Sequence, residues 1–135
     1  MSRPNNIHQS AEDYLETILI ISKRKPDVHS IDIANEMSFS KPSVSIAMKN
    51  LREKGFIIMD ADNHITLTPE GRKIAETIYE RHTLITEWLV GLGVSEEVAS
   101  EDACRIEHVI SAESFDALKA FAQKLSAEKE EISEN

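Results

Sequence analysis

Two short amphipathic segments, separated by only three residues, constrain this sequence more than any other feature. Apolar residues recur at helical spacing in both: Ile31, Ala34 and Met37 in the first segment, and Val44, Ala47, Met48 and Leu51 in the second. Ser30 and Ser40 are suitable N-caps for the two helices, and Gly55 ends the second. Two short helices joined by a turn at Ser38-Phe39-Ser40 predict a helix-turn-helix.

A β-hairpin pattern follows the second helix directly. Residues 56–59 (Phe-Ile-Ile-Met) and 64–67 (His-Ile-Thr-Leu) are strand-like runs, and residues 60–63 (Asp-Ala-Asp-Asn) have the composition of a tight turn. A hairpin directly after a helix-turn-helix is the wing of a winged-helix domain, whose turn lies along the DNA backbone beside the groove that holds the recognition helix. The sequence therefore predicts a winged-helix DNA-binding domain over residues 1–72.

The net charge of −9 argues at first against nucleic acid, but its distribution reverses that interpretation. Residues 1–72 contain nine Lys or Arg and ten Asp or Glu, a net charge of −1, whereas residues 73–135 contain six and fourteen, a net charge of −8. The stretch 40–55 has a local excess of three positive charges. We therefore expect operator DNA to contact Ser40, Lys41, Ser43 and Ser45, with Lys49 and Arg52 positioned on phosphates.

Helical patterns dominate the rest of the chain. A first helix is predicted from Ser10 to residue 24, and Thr68-Pro69-Glu70 begins a long helix. The buried stripe of the long helix is expected to contain Ile74, Ile78, Ile85, Leu89 and Leu92. Two further helices are predicted to begin at Ser95 and Ser114. The predicted fold class is mainly α with a small β-hairpin: a winged helix-turn-helix, then a helical domain over residues 73–126, then a flexible acidic tail over residues 127–135.

The C-terminal helices form too small a bundle to bury much apolar surface alone. A homodimer would cover their apolar faces, and it would also place two recognition helices about one turn of double-stranded DNA apart. The sequence therefore predicts a homodimer that binds double-stranded operator DNA.

Three potential metal ligands lie close together near the end of the chain. Cys104, Glu107 and His108 are spaced at i, i+3 and i+4, so on a helix they are neighbours on one face and can converge on one ion. Cys104 could instead be a small buried apolar residue, and Glu107 and His108 could be surface residues or hydrogen-bond partners at a dimer edge.

Three more candidates come from other parts of the chain. Asp13 and Glu16 lie at i and i+3 on the first helix, and His82 lies on the long helix. Asp13 could instead complete a capping box with Ser10, Glu16 could be solvated, and His82 could be an ordinary core histidine. Taken together, a thiol, imidazoles and carboxylates suit Mn²⁺, Fe²⁺, Co²⁺ or Zn²⁺ better than Mg²⁺ or Ca²⁺.

Several classes of protein are disfavoured. The N-terminus has no apolar stretch typical of a signal peptide, and Cys104 is the single cysteine, so we expect a cytoplasmic protein. The longest apolar run, residues 18–21, is too short for a membrane span, so no membrane insertion is expected. No nucleophile–base pair or glycine-rich phosphate loop is recognisable, so we do not expect an enzyme.

Four segments carry a resemblance to a known family. They are residues 11–16 (AEDYLE), residues 68–71 (TPEG), residues 79–82 (YERH) and residues 103–111 (ACRIEHVIS). On these segments the chain resembles the diphtheria toxin repressor family of metal-dependent transcription regulators, over residues 8 to about 125. The resemblance implies that the metal ligands are Asp13, Glu16, His82, Glu107 and His108. It also implies the short, two-domain form of the manganese-responsive branch, without an SH3-like domain.

Cys104 departs from the manganese-responsive pattern, which has a glutamate at this position, and it matches the iron-responsive one. Asp13 departs in the opposite direction, because iron-responsive members have methionine there. Carboxylates favour the harder Mn²⁺ and a thiolate favours softer ions, so Mn²⁺ is expected first and Fe²⁺ second, and Co²⁺ or Zn²⁺ can substitute.

The resemblance implies a repressor that binds operator DNA when it is loaded with metal and that controls metal-ion homeostasis genes. Asp13 and Glu16 belong to the predicted DNA-binding domain, whereas the other ligands belong to the helical domain, so metal would couple the two domains. The alternative function is a winged-helix regulator that senses a small molecule between its helices.

Overall fold

The structure, a computed structural model, describes residues 6–134 of the chain. It has the predicted fold class, mainly α with one β-hairpin. The elements are α1 (Asn6–Arg24), α2 (Ser30–Met37), α3 (Lys41–Glu53), β1 (Ile57–Met59), β2 (Ile65–Leu67), α4 (Pro69–Gly91), α5 (Glu96–Ile106) and α6 (Ala112–Glu134). They form two compact units, one up to Tyr79 and the other from Glu80 onward.

The predicted helix-turn-helix and wing are both present in the first unit. Ser38 adopts the left-handed conformation (φ 58°) in the turn between α2 and α3, and Ser40 Oγ accepts a hydrogen bond from Ser43 N at 3.3 Å as the N-cap of α3. Strands β1 and β2 pair antiparallel, with Ile58 opposite Thr66. These elements have the order and the local geometry that a winged-helix domain requires.

Asp60 organises the turn at the tip of the wing. Its Oδ1 accepts hydrogen bonds from the backbone N–H groups of Asp62 and His64, each at 2.9 Å, and its Oδ2 lies 3.1 Å from His64 Nδ1. Asn63 takes the left-handed conformation (φ 64°) that a tight turn of this kind needs. The aspartate at position 60 is therefore explained by backbone hydrogen bonding.

Three predicted helix starts were wrong by one residue or more. Helix α1 begins at Asn6, so Ser10 lies inside the helix and does not cap it; residues 6–9 contain no helix breaker. The N-cap of α2 is His29, whose backbone N–H donates to Asp32 Oδ2 at 2.9 Å. Helix α6 begins at Ala112, because Ser111 Oγ accepts from Ser114 N at 3.0 Å one turn earlier than expected.

Two differences concern helix ends. Helix α6 continues to Glu134, although residues from 127 onward were assigned to a tail; their Ala, Glu and Lys residues have high helix propensity. Leu92, assigned to a buried stripe, lies beyond the end of α4 and is 82% exposed. No helix within residues 6–134 is long and apolar enough to cross a bilayer.

The first unit has an extensive apolar core. Its buried members come from every element of the winged helix, and the largest fully buried ones are Leu15 and Ile18 from α1, Ile33 from α2, Val44 and Met48 from α3, and Ile57 from β1. At roughly 1.5–3 kcal/mol for each large apolar side chain, this burial supplies most of the stabilisation of the unit. The recognition helix α3 is therefore held on a rigid support.

The second unit has a much smaller core. Ile85, Ala103 and Phe115 are its buried members, and the centroids of the Trp88 and Phe115 rings lie 5.7 Å apart. Large apolar side chains remain exposed on its helices, among them Val98, Leu118, Phe121 and Leu125. A helical unit with so little buried surface and so many exposed apolar side chains has the composition of a dimerisation domain.

The start of α4 packs against the chain at the start of the wing. Thr68 Oγ1 donates to the Gly55 carbonyl at 2.7 Å and accepts from Gly71 N at 3.1 Å, and Thr68 N donates to the Phe56 carbonyl at 3.0 Å. A Cβ atom added at Gly71 would lie 2.0 Å from the Phe56 carbonyl oxygen. Glycine is therefore required at this position by close approach.

We expect Gly71→Ala to lower the free energy of unfolding by about 1–3 kcal/mol, because the backbone of residue 56 must move to admit a methyl group. Gly91→Ala is the matched control, since Gly91 also lies in α4 but has open space around it. That control should be neutral or up to about 1 kcal/mol more stable, from helix propensity. Thermal unfolding followed by circular dichroism tests both, and equal effects would contradict the packing argument.

Candidate metal centre and DNA-binding surface

A buried carboxylate lies at the centre of the predicted metal site in the second unit. Glu107 has no solvent-exposed surface. Its Oε2 lies 2.9 Å from His82 Nδ1, and its Oε1 lies 3.3 Å from His108 Nε2. The structure therefore brings three of the predicted ligands together, with His82 and His108 on either side of the Glu107 carboxylate.

Cys104 completes this group on the solvent side. It is exposed, and its Sγ lies 3.7 Å from His82 Nδ1. His82, Cys104 and Glu107 each offer one ligand atom, and these atoms lie within 4.8 Å of one another. Cys104 is thus not the buried apolar residue of the alternative interpretation, and His82 faces polar atoms rather than the core.

The predicted ligands near the end of α5 do not all lie on the helix. Helix α5 ends at Ile106, and Glu107 and His108 lie in the turn that follows. Glu107 nevertheless keeps helical dihedral angles (φ −58°, ψ −26°), and its N–H donates to the Ala103 carbonyl at 2.9 Å. For Glu107, the spacing expected for one helical face therefore persists just beyond the helix end.

Mutual interactions set the protonation states of this group. Hydrogen bonds with Cys104 and Glu107 raise the pKa of His82 from 6.5 to about 10, against the opposing effect of its burial. Burial by itself raises the pKa of Glu107, but the neighbouring His108 and His82 imidazoles bring that pKa below its ordinary value. At neutral pH the protein without metal therefore pairs a His82 imidazolium with a Glu107 carboxylate.

The donor set fits a divalent transition metal. A carboxylate, an imidazole nitrogen and a thiol are hard, borderline and soft donors in turn, and this mixed set suits Mn²⁺, Fe²⁺, Co²⁺ or Zn²⁺. Within the described part of the chain, the buried Glu107 Oε1 atom accepts no hydrogen bond, although buried oxygens normally do. An oxygen in this situation is suited to a metal ion as its partner.

Asp13 and Glu16 lie on α1, in the first unit. Asp13 is half-buried, and Glu16 is 9% exposed, so Glu16 is not the solvated helix residue of the alternative interpretation. Because α1 begins at Asn6, Asp13 is not in a capping box either. The assignment of these two residues as metal ligands remains a prediction from the sequence.

Two residues beside His82 were not predicted to contribute to the site. Ser100 Oγ lies 3.4 Å from His82 Nε2, so it can orient the ring while Nδ1 faces Glu107 and Cys104. Arg81 donates from its Nη1 to the carbonyls of Glu107 and Ile110, each at 3.1 Å. These contacts join residues 18 to 29 positions apart, and no short-range spacing in the sequence indicates them.

The predicted DNA contacts form one exposed surface on and beside α3. All six are exposed: Ser40, Lys41, Ser43, Ser45, Lys49 and Arg52. The Ser40 and Ser43 hydroxyls are already hydrogen-bonded to each other at 2.8 Å. Ile46, which we did not predict as a contact, is 63% exposed among these polar residues, and an apolar side chain there is well suited to contact a thymine methyl group.

Comparisons with known proteins cover both units. A family model described as the N-terminal DNA-binding domain of iron-dependent repressors matches residues 6–65, and one described as their metal-binding and dimerisation domain matches residues 68–131. The chain is 38% identical over 113 residues to the transcriptional regulator MntR of Salmonella typhimurium, covering 84% of this chain and 72% of that protein.

Solved structures give the same result. The manganese regulator SloR matches with a TM-score of 0.75 and 31% identity, and ScaR with bound Zn²⁺ matches with a TM-score of 0.71 and 30% identity. Each match covers 84% of this chain and 53% of that structure's chain, so the chain spans about half the length of these two proteins. The predicted family resemblance is confirmed: the chain belongs to the iron-dependent repressor family of metal-dependent transcriptional regulators.

Proposed function

We propose that this protein is a transcriptional repressor that binds operator DNA as a homodimer when Mn²⁺ or Fe²⁺ is bound, and that it controls metal-ion homeostasis genes. The observation that carries the proposal is the buried Glu107 carboxylate between His82 and His108, in a protein that also has an exposed recognition helix. The manganese regulators among its relatives support the choice of metal.

The ligands in this proposal are His82, Cys104, Glu107 and His108, with Asp13 and Glu16 supplying further oxygens. The bound metal supplies concentrated positive charge, which allows several carboxylates to gather without repelling one another. Glu107 and His108 hold the site from the turn after α5, and His82 holds it from α4. For His82 to serve as a ligand, its imidazolium would have to release a proton to solvent so that a ring nitrogen could bind the metal.

The metal preference follows from the mixed donor set. The carboxylates favour Mn²⁺ and the Cys104 thiolate favours Fe²⁺, Co²⁺ or Zn²⁺, so we expect Mn²⁺ first, Fe²⁺ second and the others as substitutes. Because Cys104 is exposed, it can be replaced without disturbing the core.

Metal control of DNA binding requires coupling between the metal site and the winged helix. We propose that Asp13 and Glu16 provide it, because they lie on the helix that forms much of the core of the first unit. Dimerisation through the exposed apolar side chains of the second unit would then set the spacing of the two recognition helices. The protein would act in the cytoplasm as a regulator and not as an enzyme.

Metal dependence can be tested by DNA binding measured with Mn²⁺, Fe²⁺, Co²⁺ and Zn²⁺, each with a chelator control. We expect Mn²⁺ and Fe²⁺ to raise operator affinity by about 5- to 150-fold, the usual range for coupled binding events. Glu107→Gln should abolish this stimulation because the central ligand loses its charge, and it should leave the helical circular dichroism spectrum unchanged.

The control for this variant is Glu97→Gln, an equally conservative change at an exposed position on α5, which should respond to metal as the wild type does. A full metal response in Glu107→Gln would contradict the ligand assignment. DNA binding that chelators do not affect would instead favour a winged-helix regulator that senses a small molecule.

The raised pKa of His82 predicts a steep pH dependence of metal binding. The stabilisation that the imidazolium gives to the protein without metal is fully present below pH 6.5 and is lost as the pH rises through about 10. Between pH 6 and 8 bound metal must therefore displace this proton, so Mn²⁺ affinity should rise about tenfold per pH unit from His82 alone.

Titration of Mn²⁺ binding by electron paramagnetic resonance at several pH values tests this prediction. His82→Gln should bind Mn²⁺ more weakly than the wild type. The rise of its Mn²⁺ affinity with pH should also be smaller than that of the wild type, by a factor of about ten per pH unit. His29→Gln removes a histidine at the N-cap of α2 and should keep the wild-type slope. Equal slopes in His82→Gln and the wild type would show that another group supplies the proton.

Ile46 and Lys49 should contribute to DNA binding in different ways. Ile46→Ser should reduce discrimination at thymine positions in the operator, because it removes an exposed apolar contact. Lys49→Gln should weaken binding to all sequences equally and lower the slope of log affinity against log salt by about 1. Selection of sites from a random DNA pool, combined with salt titrations, separates the two effects. A loss of sequence preference in Lys49→Gln would contradict the assignment of Lys49 to a phosphate contact.

A further inference from the structure

We infer that Arg81 is a positioning residue of the metal site, which acts by holding the turn that carries Glu107 and His108. This inference rests on the proposed function, because it takes these two residues as ligands. Its structural basis lies entirely in the second unit, from the end of α5 to the first turn of α6 and the facing part of α4.

The ligand turn needs outside support. It spans residues 107–110, between the end of α5 and Ser111, and it contains no regular secondary structure. Within it the N–H groups of Val109 and Ile110 both donate to the Ile106 carbonyl at 3.0 Å. Carbonyls beyond the end of a helix lack intrahelical donors, so other groups must satisfy them.

Arg81 supplies such donors at two points of this turn. Its Nη1 donates to the Glu107 carbonyl and to the Ile110 carbonyl, each at 3.1 Å. These two carbonyls lie at the two ends of the turn, so one guanidinium nitrogen fixes the distance between them. A single side chain therefore determines the path of the backbone on which both ligands are mounted.

Consecutive residues of α4 hold Glu107 at both ends. Arg81 binds its backbone carbonyl, and His82 Nδ1 lies 2.9 Å from its side-chain Oε2. Because Arg81 and His82 are neighbours on one helix, the position of Glu107 relative to His82 is defined by two contacts instead of one. Such second contacts orient ligands and raise metal affinity in known metal sites.

The guanidinium itself is held in a fixed orientation. Its Cζ lies 5.6 Å from the centre of the Phe115 ring, and Phe115 is buried in the first turn of α6. Within the described residues its buried Nε has no hydrogen-bond acceptor. In this orientation Nε is left without an acceptor, while Nη1 donates to both carbonyls. This is the geometry expected if Arg81 is positioned to support the turn.

The test measures Mn²⁺ affinity of the full chain for Arg81→Met, Arg81→Lys and Arg105→Met. Arg105 is the matched control: it lies next to Cys104 in the sequence, but its side chain is 79% exposed and pairs with Asp102. Loss of a positive charge near a cation site favours cation binding by Coulomb's law, so electrostatics alone predicts equal or tighter binding in both Met variants.

Positioning predicts the opposite sign for Arg81 alone. We expect Arg81→Met to bind Mn²⁺ about 10- to 100-fold more weakly, the usual effect of losing a residue that orients a ligand. Arg81→Lys should lie between Arg81→Met and the wild type, because it keeps the charge and some donor capacity but not the planar fork. Arg105→Met should bind as tightly as the wild type or more tightly.

The visible absorption of bound Co²⁺ provides a second readout, because it reports the geometry of the occupied site independently of how much protein is folded. We expect Arg81→Met to change this spectrum and Arg105→Met to leave it as in the wild type. If Arg81→Met does not fold, Arg81→Lys decides: the inference expects it to bind about three- to tenfold more weakly than the wild type, through loss of the fork.

Two failures are distinguishable. If the wild type does not bind Mn²⁺ or Co²⁺, the proposed function is wrong and the inference falls with it. If the wild type binds both ions, while the Arg81 variants match its Mn²⁺ affinity and its Co²⁺ spectrum, the inference alone is overturned.

Discussion

The negatively charged side chain of Glu107 is fully buried, and the second unit is arranged around the need to stabilise this buried charge. A buried carboxylate is tolerated only where opposite charge and hydrogen bonding compensate for lost hydration. His82 and His108 flank its two oxygens, and Arg81 binds its carbonyl. Without these partners burial would raise the pKa of the carboxylate, and without the carboxylate the candidate site would have no centre.

The winged helix could be predicted in detail from sequence because its signals are local. Ser40 caps the recognition helix by accepting a hydrogen bond from the N–H of Ser43, only three residues later. The hairpin turn is likewise encoded in four consecutive residues. Helix starts were less accurate at Ser10 and Ser30, since a good capping residue does not cap when the chain can extend the helix beyond it. Local sequence signals therefore predicted which helices and strands form better than they predicted the residues at which those elements begin.

The proposed metal site was predictable from the sequence to a different degree. Cys104, Glu107 and His108 were proposed from a spacing of three and four residues. The structure groups Glu107 with Cys104 and His82, and it places His108 Nε2 3.3 Å from Glu107 Oε1. His82 was already a candidate ligand in the sequence, but its contact with Glu107, 25 residues away, was not predicted. Arg81 and Ser100 were not predicted at all, because their contacts are similarly long-range. Such contacts arise from the packing of α4 against α5 and the turn, which no periodicity in the sequence encodes.

The imidazolium of His82 occupies the place of a cation beside Glu107 when no metal is bound. In the proposed function this ion pair would keep the ligand side chains together before metal binds, unlike small zinc domains that fold only when metal arrives. Less of the free energy of metal binding would then go into ordering the ligands, and more would be available for the proposed coupling to DNA binding. In this proposal a proton takes the place of the metal at His82 until metal binds, so the metal concentration at which DNA binding responds would depend on pH as well as on the ligand set.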